Sequence, residues 1–299
     1  MTHQISADHL TIERIGEIIY NNYKIELSDD ARKRIIRSRE YLDARIAKEE
    51  NPIYGVTTGF GSLCSVSISK DQLSQLQVNL IKSHACGVGE RFPNDIIKMM
   101  ILLKVQSLSY GFSGCKLDTV ERLIDMFNNN IFPIILEQGS LGASGDLVPL
   151  AHMSLPLVGL GEVDMNGEVL SGEEMNRRMN WKPIELASKE GLALLNGTQN
   201  MSAQAVWAVL NAQRLSEWAD VIAAMSLDAF DGRIEPFTHA VHAVRPHQGQ
   251  IETAARFRQL LEGSKLIARP KKHVQDPYSF RCVPQVHGTV KDTLLYVYS

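Results

Sequence analysis

The tripeptide Ala143-Ser144-Gly145 combines three residue types that together can alter their own backbone. A glycine amide nitrogen, unhindered by a Cβ of its own, can close on the alanine carbonyl, while the serine sheds its hydroxyl as water. Glycine allows the tight approach, serine supplies the leaving hydroxyl and alanine leaves room. A hydrolase does not fit the same stretch, because Gly142-Ala143-Ser144-Gly145 reads G-x-S-G where a nucleophile elbow needs G-x-S-x-G. A second glycine-rich loop, Tyr54-Gly55-Val56-Thr57-Thr58-Gly59-Phe60-Gly61, can turn sharply and present a phenol and threonine hydroxyls. It lacks the Lys-Ser/Thr ending of a phosphate-binding loop. His239, His242 and His247 fall close together but form no H-E-x-x-H pattern, and Cys64, Cys86, Cys115 and Cys282 contain no C-x-x-C pair. No metal site is expected from either set.

Ala143-Ser144-Gly145-Asp146-Leu147, continued by Pro149-Leu150-Ala151-His152, resembles the signature of the aromatic amino acid ammonia-lyase and aminomutase family. Three more stretches match motifs of that family in family order: the Tyr54–Gly61 loop, Leu194-Leu195-Asn196-Gly197-Thr198-Gln199, and Gln275-Asp276-Pro277-Tyr278-Ser279-Phe280-Arg281-Cys282. The resemblance implies that Ala143, Ser144 and Gly145 cyclise autocatalytically into 4-methylidene-imidazole-5-one (MIO), with no dissociable cofactor. Such an electrophile suits the chemistry. Eliminating ammonia from an α-amino acid removes a weakly acidic β-proton and expels a poor leaving group, and no ordinary side chain offers an electron sink for that.

The same resemblance implies the remaining roles. Tyr54 would take the β-proton, which requires neighbours that favour the phenolate. Arg281 would pair with the substrate carboxylate through its planar fork. Asn196 and Tyr278, with Gln275 assisting, would hold MIO and the amino or carboxylate end of the substrate. Gly142, Asp146 and Leu147 would support the cyclised loop, and His152 reads as a satisfied core histidine. The pair Ser83-His84 resembles that of histidine-specific members, so His84 would hydrogen-bond a substrate imidazole. L-Histidine would then give trans-urocanate and ammonia. A phenylalanine or tyrosine ammonia-lyase, an aminomutase, and a truncated non-catalytic relative serving as a structural or assembly domain are the alternatives. Family members extend beyond the last residue here and form tetramers whose active sites combine subunits, so the resemblance implies a C-terminally truncated chain and a homotetramer.

The elements that must position these residues read as mainly α: a multi-helix, ammonia-lyase-like fold with long bundle helices and one small β-hairpin. Ile12, Ile15, Ile18 and Ile19 repeat at helical spacing behind a cap at Asp8, and Ser28 opens a segment through Ile35, Ile36, Leu42 and Ile46. Ser69 and Gln72 form a capping-box pattern ahead of Leu73, Leu76, Leu80 and Ile81. Further helices are predicted from Asn94 through Leu108, over 118–127, and over 198–229 as a long bundle helix. Residues 161–170 alternate around Asn166-Gly167, which predicts the hairpin. The expected domains are 1–197, carrying the tyrosine and MIO loops, and 198–299, opening a central bundle. A net charge of −3 across 299 residues supplies no field for nucleic acid. No apolar run reaches about 18 residues and no basic, apolar leader opens the chain, so a cytoplasmic protein without membrane contact is expected.

Overall fold

The stretches with apolar residues at helical spacing do form helices in the computed structural model, which describes residues 1–48, 51–59 and 72–299. Ser69, Phe60, Gly61 and Cys64 lie outside the described residues. The chain divides into two compact units, Met1–Val206 and Trp207–Ser299.

In the first unit, β1 (Thr2–Ile5) pairs in parallel with β2 (Lys24–Leu27), the crossover between them being α1 (Ile12–Tyr20). α1 buries Ile15, Ile18 and Ile19. Its cap is Thr11, whose Oγ1 accepts from the Arg14 N–H at 3.2 Å, and not the expected Asp8, whose carboxylate accepts from Ser6 Oγ at 2.8 Å. Thr11 directly precedes the first helical residue, whereas Asp8 is too far upstream to reach the open N–H groups. α2 (Asp29–Lys48) starts as predicted behind Ser28, which accepts from the Ala31 N–H at 3.2 Å. There follow α3 (Leu73–His84), β3 (Val88–Arg91), α4 (Asn94–Ser109), α5 (Leu117–Asn128), β4 (Ile131–Pro133), β5 (Leu136–Gln138), α6 (Leu147–Ser154), β6 (Glu162–Met165), β7 (Glu168–Ser171), α7 (Gly172–Arg178), α8 (Glu190–Leu195) and the start of α9 (Gln199–Ala229). β6 and β7 form the predicted hairpin, with φ of 57° at Asn166 and 84° at Gly167, the positive values its two-residue turn requires.

The structure adds strands that the sequence pattern did not mark. β4 pairs antiparallel with β6 to widen the hairpin into a three-stranded sheet, and β3 pairs antiparallel with β5. Strands of three or four residues are too short to display an alternation of their own. The core of this unit forms around α4, which buries Ile97, Met99, Met100, Ile101, Leu102, Val105 and Leu108 against α5 residues such as Val120, Leu123 and Phe127. α4 is buried on nearly every face, Lys98, Lys104 and Gln106 included. α3, α6 and α8 pack against one another, and this trio carries the loops with the candidate chemistry.

The second unit comprises the rest of α9, α10 (His239–Ala243), α11 (Gln248–Leu260), α12 (Lys265–Ala268), α13 (Tyr278–Arg281) and α14 (Val283–Tyr298). α11 and α14 approach so closely that a Cβ on Gly249 would strike the Gly288 carbonyl oxygen. Phe237 and Phe257 stack at 4.6 Å within a core completed by Ala224, Leu227, Leu261 and Val283. A buried carboxylate, Asp220 on α9, binds His287 Nδ1 at 2.8 Å and Lys291 Nζ at 2.5 Å from α14. Leu215, Trp218, Ile222 and Met225 of α9 lie exposed at three- and four-residue spacing. Among the described residues, no helix is long and apolar enough to cross a membrane.

Candidate active site

The loop from β5 to α6 doubles back on itself at the tripeptide. Gly142 and Ala143 each form a bridge to Gly145, so the alanine and glycine backbones face one another. Ala143 and Ser144 are exposed. Gly145 adopts φ of 90°, and a Cβ there would run into the Gly197 carbonyl oxygen, so only glycine fits. The Gly145 backbone also pairs with Gly197, and the Asp146 N–H donates to the Gly197 carbonyl at 2.7 Å. Tripeptide geometry and residue types therefore fit ring closure. Asp146 itself is fully buried; its two carboxylate oxygens accept from Ser140 Oγ at 3.0 Å and from the Met201 N–H, in the first turn of α9, at 2.9 Å. That second bond satisfies one of the open donors at a helix N-terminus.

Asn196 follows α8 with its side chain exposed, Nδ2 donating to the Leu192 carbonyl at 3.0 Å. Its backbone carbonyl is held from beneath by Lys104, a residue the sequence reading did not single out. Lys104 is 1% exposed, and its Nζ donates to the Asn196 carbonyl at 2.9 Å and the Ala193 carbonyl at 3.2 Å. Burial pulls its pKa from 10.5 down to about 8, with the Asp146 carboxylate opposing the shift. A signal for it exists in the sequence: Lys104 stands four residues after Met100 and four before Leu108, on the apolar stripe of a helix where a cation is out of place.

Tyr54 lies 60% exposed in a separate turn. The threonines of that turn do not present their hydroxyls as expected. Thr57 Oγ1 accepts from the Ile53 N–H at 2.9 Å and buried Thr58 accepts from the Gly55 N–H at 3.2 Å, so both pin the turn that displays the phenol. His84 ends α3 with Nδ1 2.8 Å from the Leu80 carbonyl. A carbonyl only accepts, so Nδ1 carries the proton and Nε2 is left as the acceptor of the neutral ring. His152 on α6 is satisfied, as the sequence reading has it: Nε2 accepts from the Gly87 N–H at 3.0 Å, and burial lowers its pKa. His242 is similarly engaged, with Nε2 2.8 Å from the Pro236 carbonyl and Nδ1 3.0 Å from Gln250 Nε2.

Gln275, Tyr278 and Arg281 come together in the second unit on and before α13. The Arg281 guanidinium stacks 3.8 Å from the centre of the Tyr278 ring, and the Gln275 amide oxygen, in its hydrogen-bonding orientation, accepts from Arg281 Nε at 2.8 Å. Buried Asp276 anchors the segment, accepting from the Arg233 N–H at 2.6 Å and pairing with His273 Nε2 at 2.6 Å. Ala143, Ser144 and Gly145 thus lie in a loop held by the Gly197 backbone, next in the chain to Asn196, and Gln275, Tyr278 and Arg281 form a group on and before α13, while Tyr54 and His84 stand in settings of their own.

The chain is 48% identical over 294 residues to a histidine ammonia-lyase of Caldanaerobacter subterraneus subsp. tengcongensis, covering 98% of this chain and 58% of that relative. It spans under two thirds of the length of such curated relatives. Among solved structures it superposes on histidine ammonia-lyase from Trypanosoma cruzi with a TM-score of 0.87 at 37% identity, covering all of this chain and 56% of that one. It also superposes on tyrosine aminomutase from Streptomyces globisporus with a TM-score of 0.90 at 32% identity, covering all of this chain and 60% of that one. The model of the aromatic amino acid lyase family matches residues 10–299, and with the doubled-back Ala-Ser-Gly loop inside that match, the chain belongs to the aromatic amino acid lyase family.

Proposed function

We propose that this chain is the catalytic-loop portion of a histidine ammonia-lyase that converts L-histidine to trans-urocanate and ammonia. The observation that carries the reading is the return of the Ala143 and Gly145 backbones onto each other beneath an exposed Ser144. In the closure we propose, the Gly145 amide nitrogen bonds to the Ala143 carbonyl carbon. The carbonyl oxygen leaves as water with the amide hydrogens of Gly145 and Ser144, and Ser144 loses Oγ with its Cα hydrogen as a second water. The resulting MIO ring supplies an electrophilic methylidene carbon, the electron sink that ammonia elimination requires.

The chain's own groups do the rest. Tyr54, displayed on its pinned turn, accepts the β-proton. Arg281 binds the substrate carboxylate, its fork flattened on Tyr278 and held by Gln275. Asn196, adjacent in the chain to the Gly197 that bridges Gly145, supplies its amide to MIO and to the substrate. His84, with Nε2 free to accept, takes the N–H of the substrate imidazole. Residues 1–197 serve as the domain of the tyrosine and MIO loops and residues 198–299 open a bundle domain through which subunits form a tetramer. The exposed α9 stripe of Leu215, Trp218, Ile222 and Met225 suits such a role, and in a tetramer Tyr54, Asn196 and Arg281 can be drawn from different subunits. A cytoplasmic enzyme of histidine breakdown accords with these features.

Incubating the purified protein with L-histidine, L-phenylalanine and L-tyrosine tests the reading. Urocanate from histidine alone is expected. Deamination of phenylalanine or tyrosine with histidine untouched refutes the assignment of His84, and a β-amino acid product makes the protein an aminomutase.

A further inference from the structure

Lys104 is a buried cation behind the tripeptide loop that neither the fold nor the loop's chemistry requires at first sight. An ammonium at 1% exposure loses most of its hydration, and it forms no ion pair among the described residues. A methionine of similar length would fill the same space in α4 without that loss. What the lysine provides is two charge-assisted hydrogen bonds to the carbonyls at the end of α8, from Nζ to Ala193 at 3.2 Å and to Asn196 at 2.9 Å.

The second bond reaches the tripeptide in one step. The Asn196 carbonyl and the Gly197 N–H belong to a single rigid peptide plane, so fixing the carbonyl fixes the plane. Gly197 has φ of 139°, where a Cβ would strike Gln199 Oε1, so the position needs glycine. Glycine brings no conformational preference of its own to hold it there. Its two flanking peptides must be pinned from outside. The Asp146 N–H pins the far side at 2.7 Å, and Lys104 pins the near side. Gly197 in turn is the surface against which Gly145 holds φ of 90°, with its backbone bridged to that of Ala143.

We propose that Lys104 is a positioning residue for ring closure: by holding the Asn196–Gly197 peptide it keeps Gly145 in the conformation that lets its nitrogen reach the Ala143 carbonyl. The proposal rests on the MIO reading and extends it to a residue that touches neither substrate nor tripeptide.

Intact mass separates the two. The fraction of purified protein lighter than its sequence by two waters is measured for the unsubstituted protein, Lys104→Met and Lys104→Gln, with circular dichroism to confirm folding and Ser144→Ala as the uncyclised standard. The unsubstituted protein should be cyclised, and folded Lys104→Met should show a cyclised fraction lower by roughly tenfold or more, since small misplacements of reacting atoms carry large rate penalties. Lys104→Gln, which keeps a donor without the charge, should fall between. Full cyclisation in folded Lys104→Met overturns the proposal. If Lys104→Met does not fold, folded Lys104→Gln decides in the same way, and failure of both to fold makes Lys104 a stabilising residue only, which also overturns it. An unsubstituted protein that retains both waters refutes the MIO reading itself.

Discussion

The Ala143–Asp146 loop and the Gln275–Arg281 segment hold their candidate residues by opposite means. The first is shaped by backbone: bridges among Gly142, Ala143, Gly145 and Gly197, a backbone bond from Asp146, and a fully buried carboxylate tying the loop to α9. The second is shaped by side chains. Arg281 lies on Tyr278, Gln275 accepts from the guanidinium, and Tyr278 remains 72% exposed on a four-residue helix. A group that must be made from the chain needs its main-chain atoms fixed to within fractions of an ångström, whereas a carboxylate-binding fork needs only to be flat and within reach. Damage to the first region should therefore act on whether chemistry occurs, and damage to the second on how well substrate binds.

The most severe test of that contrast is Ser144→Ala. With no hydroxyl to lose, the variant cannot form the methylidene carbon, so its mass should not fall by two waters, and kcat should fall by roughly 10⁴-fold or more. Near-normal turnover in this variant would sink the MIO reading. Tyr54→Phe removes only the proton-accepting oxygen, so kcat should fall by roughly 10²–10⁴-fold with KM nearly unchanged and cyclisation intact by mass. A rise in KM alone would remove Tyr54 from the role of base. Arg281→Gln should leave cyclisation complete and raise KM roughly a hundredfold, about 3 kcal/mol, through loss of charge-assisted bonds to the carboxylate. If that variant instead fails to cyclise, the two regions are not independent and the contrast collapses.

The smallest effect sharpens the comparison from the side of stability. Lys104 titrates near 8 when folded and near 10.5 when unfolded, so between those values the unfolded chain holds more protons and stability rises with pH. Below about pH 8 the folded protein bears the full penalty of the buried ammonium. Relative to Lys104→Met, the unsubstituted protein should gain about 2 kcal/mol in urea unfolding between about pH 7.5 and 9.5. An unchanged difference would mean that Lys104 keeps its ordinary affinity for protons.

Local signals carried much of the architecture. Ser28, Asn94 and the Asn166-Gly167 turn mark boundaries that the structure keeps, because a cap or a turn is decided within a few residues. The misses are physical in kind. Asp8 carries the right chemistry for a cap in the wrong place, and the parallel β1–β2 pair rests on hydrogen bonds between segments about twenty residues apart that no local alternation announces. The threonines of the Tyr54 turn were legible as hydroxyls but not as internal pins, since that depends on which way the turn closes.

The sequence by itself determined the reactive material: an Ala-Ser-Gly unit of the residue types that cyclisation needs, a phenol on a glycine-rich turn, an amide after α8 and an arginine three residues after a tyrosine. Residue type sets what a group can do, and covalent order alone brings Ala143 within two residues of Gly145. Only the tertiary structure decided how that unit is held. Asp146 meets Met201 across 55 positions and Lys104 meets Asn196 across 92, and each contact exists because segments far apart in the chain pack together and bring a buried polar group within reach of its partners.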